Sequence, residues 1–132
     1  MLLIGVQNTT TQDVVADGTI VTGDVYHKYD KPNDCGVFAF SNTSTGITLN
    51  RRGFYHVTAT FAADAAFTGT ITMLVNGVPV VGAIATGDTP VIDRYVAVDP
   101  ACGWTTNAKT ITFTSDAAIT LDNVVVNVTK EV

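Results

Sequence analysis

Apolar and polar positions alternate most clearly in residues 54–61, where Tyr55, Val57, Ala59 and Phe61 share one parity and Phe54, His56, Thr58 and Thr60 the other. A period of two is the mark of a β-strand with one buried face, because successive side chains leave a strand on opposite sides. Lys109–Thr114 repeats the pattern, with Ile111 and Phe113 inward and Thr110, Thr112 and Thr114 outward. Thr70–Val75 and Val78–Ala85 flank Asn76-Gly77, and such a pair between β-rich runs predicts a hairpin whose two turn positions need positive φ. Pro79, just past the turn, has no N–H to give a ladder and places its strand at an edge. Val91–Val98 forms a further strand between Pro90 and Asp99-Pro100.

Toward the end, Ile119 and Leu121 share one parity while Val124, Val126 and Val128 share the other. Asp122-Asn123 therefore marks a bulge that shifts the facing by one residue. Val125 falls off this alternation, so the last strand is expected to be buried in part on both faces and to avoid a free edge. Earlier in the chain the pattern is shorter and turn-rich. Thr19–Thr22, Val25–Tyr29, Val37–Phe40 and Ile47–Leu49 read as strand pieces, separated by Gly23-Asp24, by residues 30–34 and by Asn50-Arg51-Arg52-Gly53. Eight to ten short strands at this spacing predict a single all-β sandwich or barrel over residues 1–132, with no helix.

Composition agrees with that reading. Thr, Val and Ile supply 22, 19 and 8 of the 132 residues, against 5 Leu and 1 Glu. β-branched side chains suit a pleated sheet and lose rotamer freedom on a helix. Charge changes the picture further. Only 14% of residues are charged and 46% are hydrophobic, whereas a typical domain is charged at about a quarter of its positions. A chain this poorly charged is expected to hide surface by self-association. The net charge of −5, with Arg51-Arg52 the one pair of adjacent basic residues, argues against nucleic acid and against anionic lipid. No apolar run approaches the ~20 residues of a membrane span. The start, residues 1–5, is too short for a secretory leader, so synthesis and retention in a cytoplasm, or release by lysis, is the expectation.

Candidate chemistry is sparse. His27 and His56 each lie in a strand-like run and read as partly buried, hydrogen-bonded histidines. The sharper alternative has three copies of His56 around a threefold axis, holding a metal or an anion. The 11 Asp fall mostly in turns, where Asp bonds its own backbone. Calcium stays open as a ligand, although no Asp-x-Asp-x-Asp loop is present. Cys35 and Cys102 read as two reduced, partly buried thiols, or as one long-range disulfide formed after release. Asp93-Arg94 is either a solvent-facing pair or a bridge across a subunit contact. Neither Gly-x-Ser-x-Gly nor a phosphate-binding loop occurs, and no catalytic role is expected. Trp104, the single tryptophan, is expected either to cap one end of the domain or to touch a partner or sugar.

Gly53-Phe54-Tyr55-His56-Val57, then Leu74-Val75-Asn76-Gly77-Val78, then Thr110–Thr114 and Val124–Val128, follow an order that resembles the C1q and tumour-necrosis-factor-like jelly-roll family. The resemblance covers about residues 47–129. It is closest to the stand-alone C1q-like domains of bacteriophage virion proteins and bacterial spore-surface proteins, since no collagen-like stalk is present. It implies ten strands in two sheets and a homotrimer. The expected role is then a structural virion protein of a tailed bacteriophage, made in the host cytoplasm, that decorates the capsid or forms a head-fibre knob on another protein of the particle. A receptor- or glycan-binding fibre tip and a bacterial spore or surface protein stand as alternatives. Phe54, His56, Tyr95, Val124 and Val126 are the residues expected at the trimer contact, with Trp104 as a partner or glycan contact.

Overall fold

The computed structural model describes residues 1–65, 67–100 and 107–132, and for residues 81–85 the backbone alone. Among these residues there is no helix and there are twelve strands: β1 (Leu2–Asn8), β2 (Gln12–Val14), β3 (Gly18–Thr19), β4 (Asp24–Tyr29), β5 (Phe40–Asn42), β6 (Ile47–Leu49), β7 (Gly53–Ala63), β8 (Ile71–Val75), β9 (Val78–Ala85), β10 (Val91–Val98), β11 (Lys109–Ser115) and β12 (Ile119–Lys130). Ten of them form two five-strand paths. The front sheet runs β10-β7-β12-β1-β4, with β2 beside β12, and the back sheet runs β5-β6-β11-β8-β9, with β3 beside β11. The result is an all-β jelly-roll sandwich.

The inward parity of β7 supplies Tyr55, Val57, Ala59 and Phe61, none of them exposed to solvent. Ile47, Leu49, Ile71, Met73, Ile111 and Phe113 of the back sheet are buried in the same core. Phe61 meets Phe113 edge-on, with ring centres 5.4 Å apart, and Phe40 meets Tyr55 in the same way at 5.7 Å. Edge-to-face packing suits the ring quadrupoles.

The hairpin and the bulge stand where the pattern placed them. Asn76 and Gly77 have φ of 52° and 78°. The Asn76 side chain accepts from the Thr110 N–H at 2.8 Å and so ties the turn to β11. β9, with Pro79, is an edge strand. In β12 the pairing with β7 slips between Leu121 and Asn123, and Leu121, Val124, Val126 and Val128 are all fully buried. β12 lies at the centre of the front sheet, between β7 and β1.

Three expectations are corrected. β1 was not recognised as a strand, yet it pairs with β12 along its whole length and sends Leu2, Ile4 and Val6 into the core. Residues 37–39 lie outside any strand, and β5 begins only at Phe40. The reason is local capping: the Asn33 side chain accepts from the Cys35 and Val37 N–H groups, and the Asp30 carboxylate accepts from Ala39 and Phe40. These bonds satisfy backbone donors outside any ladder, which favours a turn over a strand. Finally, His27 on the edge strand β4 is exposed, not partly buried.

Candidate assembly face

The polar parity of β7 and its partners builds the outer face of the front sheet. The register pairs Tyr95 with His56, His56 with Thr129, Thr129 with Leu3 and Leu3 with Tyr29. One row of side chains thus crosses five strands. The Tyr95 ring stacks on His56 with centres 4.7 Å apart and planes 15° from parallel. The His56 Nε2 contacts the Asp93 carboxylate, and its Nδ1 lies 3.9 Å from the Glu131 carboxylate. Both ring nitrogens therefore face acidic groups.

A second row holds Asp93, Thr58, Asn127 and Gly5. Tyr26 lies flat over Gly5, and its hydroxyl donates to the Asn127 Oδ1 at 2.5 Å. A Cβ at position 5 would fall 2.7 Å from the Tyr26 ring, so glycine is what lets the tyrosine lie down on the sheet. Four aromatic rings are left substantially in solvent on this face and its rim: Phe54 at 55%, Tyr95 at 63%, Tyr29 at 56% and Tyr26 at 46%. The outer face of the back sheet is different. It is a threonine ladder, in which Thr110 lies opposite Thr48 with their hydroxyls 3.0 Å apart, and Thr114 pairs with Thr72. Threonine hydroxyls remain compatible with water. Several large aromatic rings exposed on one face are the less common feature.

Of the residues expected at the trimer contact, Phe54, His56 and Tyr95 are brought together on this face. Val124 and Val126 are not. Both are fully buried within the sandwich, because the bulge at residues 121–123 directs them at the chain's own back sheet. The outward positions of β12 are Val125, Asn127 and Thr129. Leu3, Tyr26 and Tyr29 were not anticipated there. Trp104 and Cys102 lie outside the described residues. Cys35 is an exposed free thiol and not a partly buried one. Among the described residues no three His, Cys, Asp or Glu side chains converge as metal ligands. Among them, too, no helix is long and apolar enough to cross a membrane.

Neither a family model nor a curated protein matches the sequence. Solved structures do match in shape. The globular domain of zebrafish complement 1qA protein aligns over 100% of this chain and 98% of that one, with a TM-score of 0.68 at 10% identity. The chain has a C1q/TNF-like jelly-roll fold. The PRD1 vertex protein P5 shares it with a TM-score of 0.62 at 13% identity, over 96% of this chain and 93% of that one. Rabbit GITRL does so with a TM-score of 0.55 at 10% identity, over 71% and 78%. At these identities the likeness is one of fold.

Proposed function

We propose that this protein is a structural virion component of a tailed bacteriophage, a homotrimer that decorates the capsid or forms a head-fibre knob. The observation that carries the assembly half is the aromatic outer face of the front sheet, centred on Phe54, His56 and Tyr95 and flanked by Tyr26 and Tyr29. Covering such a face with a second copy removes apolar area from water at roughly 25 cal/mol per Å². A contact between unlike patches that closes after three copies ends in a ring, so growth stops there. The scarcity of charge supports the same reading, since only 14% of residues carry one. The virion half is supported by the fold shared with the PRD1 vertex protein P5.

Sedimentation equilibrium at micromolar concentration tests the assembly. The expected mass is three times the 13.9 kDa of the chain, and a sharp 13.9 kDa species overturns the trimer. Tyr95→Asp is expected to dissociate the assembly while leaving the far-ultraviolet dichroism of the sandwich intact. The virion half has a separate test, mass spectrometry of purified particles. Absence of this chain from them refutes the placement but not the assembly.

A further inference from the structure

One end of the sandwich is cut by an open cleft of about 780 Å³. The turn before β7, the end of β10 and the end of β12 meet there. Arg51, Arg52 and Lys130 line it, three of the seven Lys and Arg residues in a chain of net charge −5. The fold brings them together. Lys130 pairs with Tyr55 across the β12–β7 ladder, and Arg51-Arg52 lies just before β7 begins at Gly53. Gly53 keeps the space open: its φ is +146°, and a Cβ there would sit 2.2 Å from the Val132 oxygen and 2.9 Å from the Lys130 Nζ.

The two guanidiniums are poorly compensated, while the Lys130 ammonium is held by the Val132 oxygen. Among the described residues no side-chain carboxylate forms an ion pair with any of them. Arg51 donates to the Lys31 carbonyl at 3.4 Å, and Lys130 donates to the Val132 oxygen at 2.5 Å. Asp99 is the one acidic side chain among the described lining residues. Burial first, then the guanidiniums of Arg51 and Arg52, push the Lys130 ammonium below the ordinary lysine range. Like charges gathered at a partly desolvated site stabilise an anion placed among them. Guanidinium groups in particular match the oxygens of a phosphate or sulfate two at a time. Phe54, Val98 and Pro100 give the cleft an apolar wall beside the charges.

We propose that this cleft is an oxyanion site, holding a phosphate or sulfate group, free or as an ester on a sugar ring, between Arg52 and Lys130 with Arg51 alongside. The apolar wall takes the ring of an esterified ligand. The site is built from one chain and does not depend on the protein belonging to a virion.

The test uses the full chain and sodium sulfate or sodium phosphate, with ionic strength held constant by sodium chloride. Saturable shifts are expected in the amide resonances of Arg51, Arg52, Gly53 and Lys130, together with a rise in Tm. Arg52→Gln and Lys130→Gln are expected to weaken binding at least tenfold with dichroism unchanged. Arg52→Lys, which keeps the charge without the fork, retains part of the affinity. The proposal is overturned if neither oxyanion acts differently from chloride at equal ionic strength, or if both Gln variants bind like the parent. A sulfated oligosaccharide that binds more tightly than sulfate, while its desulfated counterpart does not bind, identifies the ester as the source. Equal affinity for sulfate and the sulfated oligosaccharide identifies the free ion.

Discussion

Replacing Tyr55 with Phe removes one hydroxyl from the core, and the consequence depends on pH in a way the structure specifies. Tyr55 is fully buried, and its hydroxyl donates to the Arg51 carbonyl at 2.5 Å. Burial pushes its pKa from 10.0 to about 12; the charge of Arg51 opposes that rise, and Asp30 adds to it. At pH 7 the hydroxyl is neutral in both the folded and unfolded chain, and Tyr55→Phe is expected to cost about 1 kcal/mol for the lost hydrogen bond. Above pH 10 the unfolded chain releases this proton while the folded chain keeps it. Stability linked to Tyr55 is therefore whole below pH 10 and is lost as pH rises toward 12, at up to about 1.4 kcal/mol per pH unit. The Phe variant has no such loss. The two stability curves are expected to converge as pH rises and to cross near about pH 11. Urea unfolding followed by circular dichroism at pH 7, 9, 10 and 11 measures this, with protein concentration fixed because assembly would shift the midpoint. A gap between the two proteins that stays constant from pH 7 to 11 refutes the reasoning.

Two further outcomes test the packing. Val126→Ala is expected to cost about 2–3 kcal/mol for two buried methyl groups and the space they leave, whereas Val125→Ala, on the outward parity, costs under about 1 kcal/mol; urea midpoints that reverse this order would contradict the assigned bulge. Gly77→Ala is expected to cost about 1 kcal/mol, because φ is +78° and no atom lies within 4 Å of the added Cβ. Gly23→Ala, whose Cβ would fall 2.0 Å from the Gln7 carbonyl oxygen at a φ of +89°, is expected to cost several times more in the same assay.

The strands that announced themselves did so through local chemistry. Alternation in β7 and β11, the positive-φ pair Asn76-Gly77 and the parity change at Asp122-Asn123 are properties of consecutive residues, and each reappears in the fold. Val37–Phe40 misled because its backbone donors are taken by Asp30 and Asn33, residues upstream of the apolar run they cap. Phe54, His56 and Tyr95 had the outward parity that places them on the outer face of the front sheet. The Tyr26 ring over Gly5 and the Asp93 contact to His56 arise from the pairing of β1 with β4 and of β10 with β7. Nothing near either residue in the chain signals that pairing.

Val124 and Val126 mark the boundary between the two kinds of information. A valine covered by the opposite sheet of its own chain and a valine covered by a neighbouring chain carry the same local pattern, because burial takes apolar area from water whatever does the covering. The sequence by itself determined that this chain is sheet, where most strands run and which side chains share a face. Side-chain alternation and turn conformation are set within a few residues. Only the tertiary structure decided that β12 lies at the centre of the front sheet, that Val124 and Val126 belong to the chain's own core, and that Arg51, Arg52 and Lys130 share one cleft. Those facts depend on register between strands far apart in the chain, and register is settled by how the whole core packs.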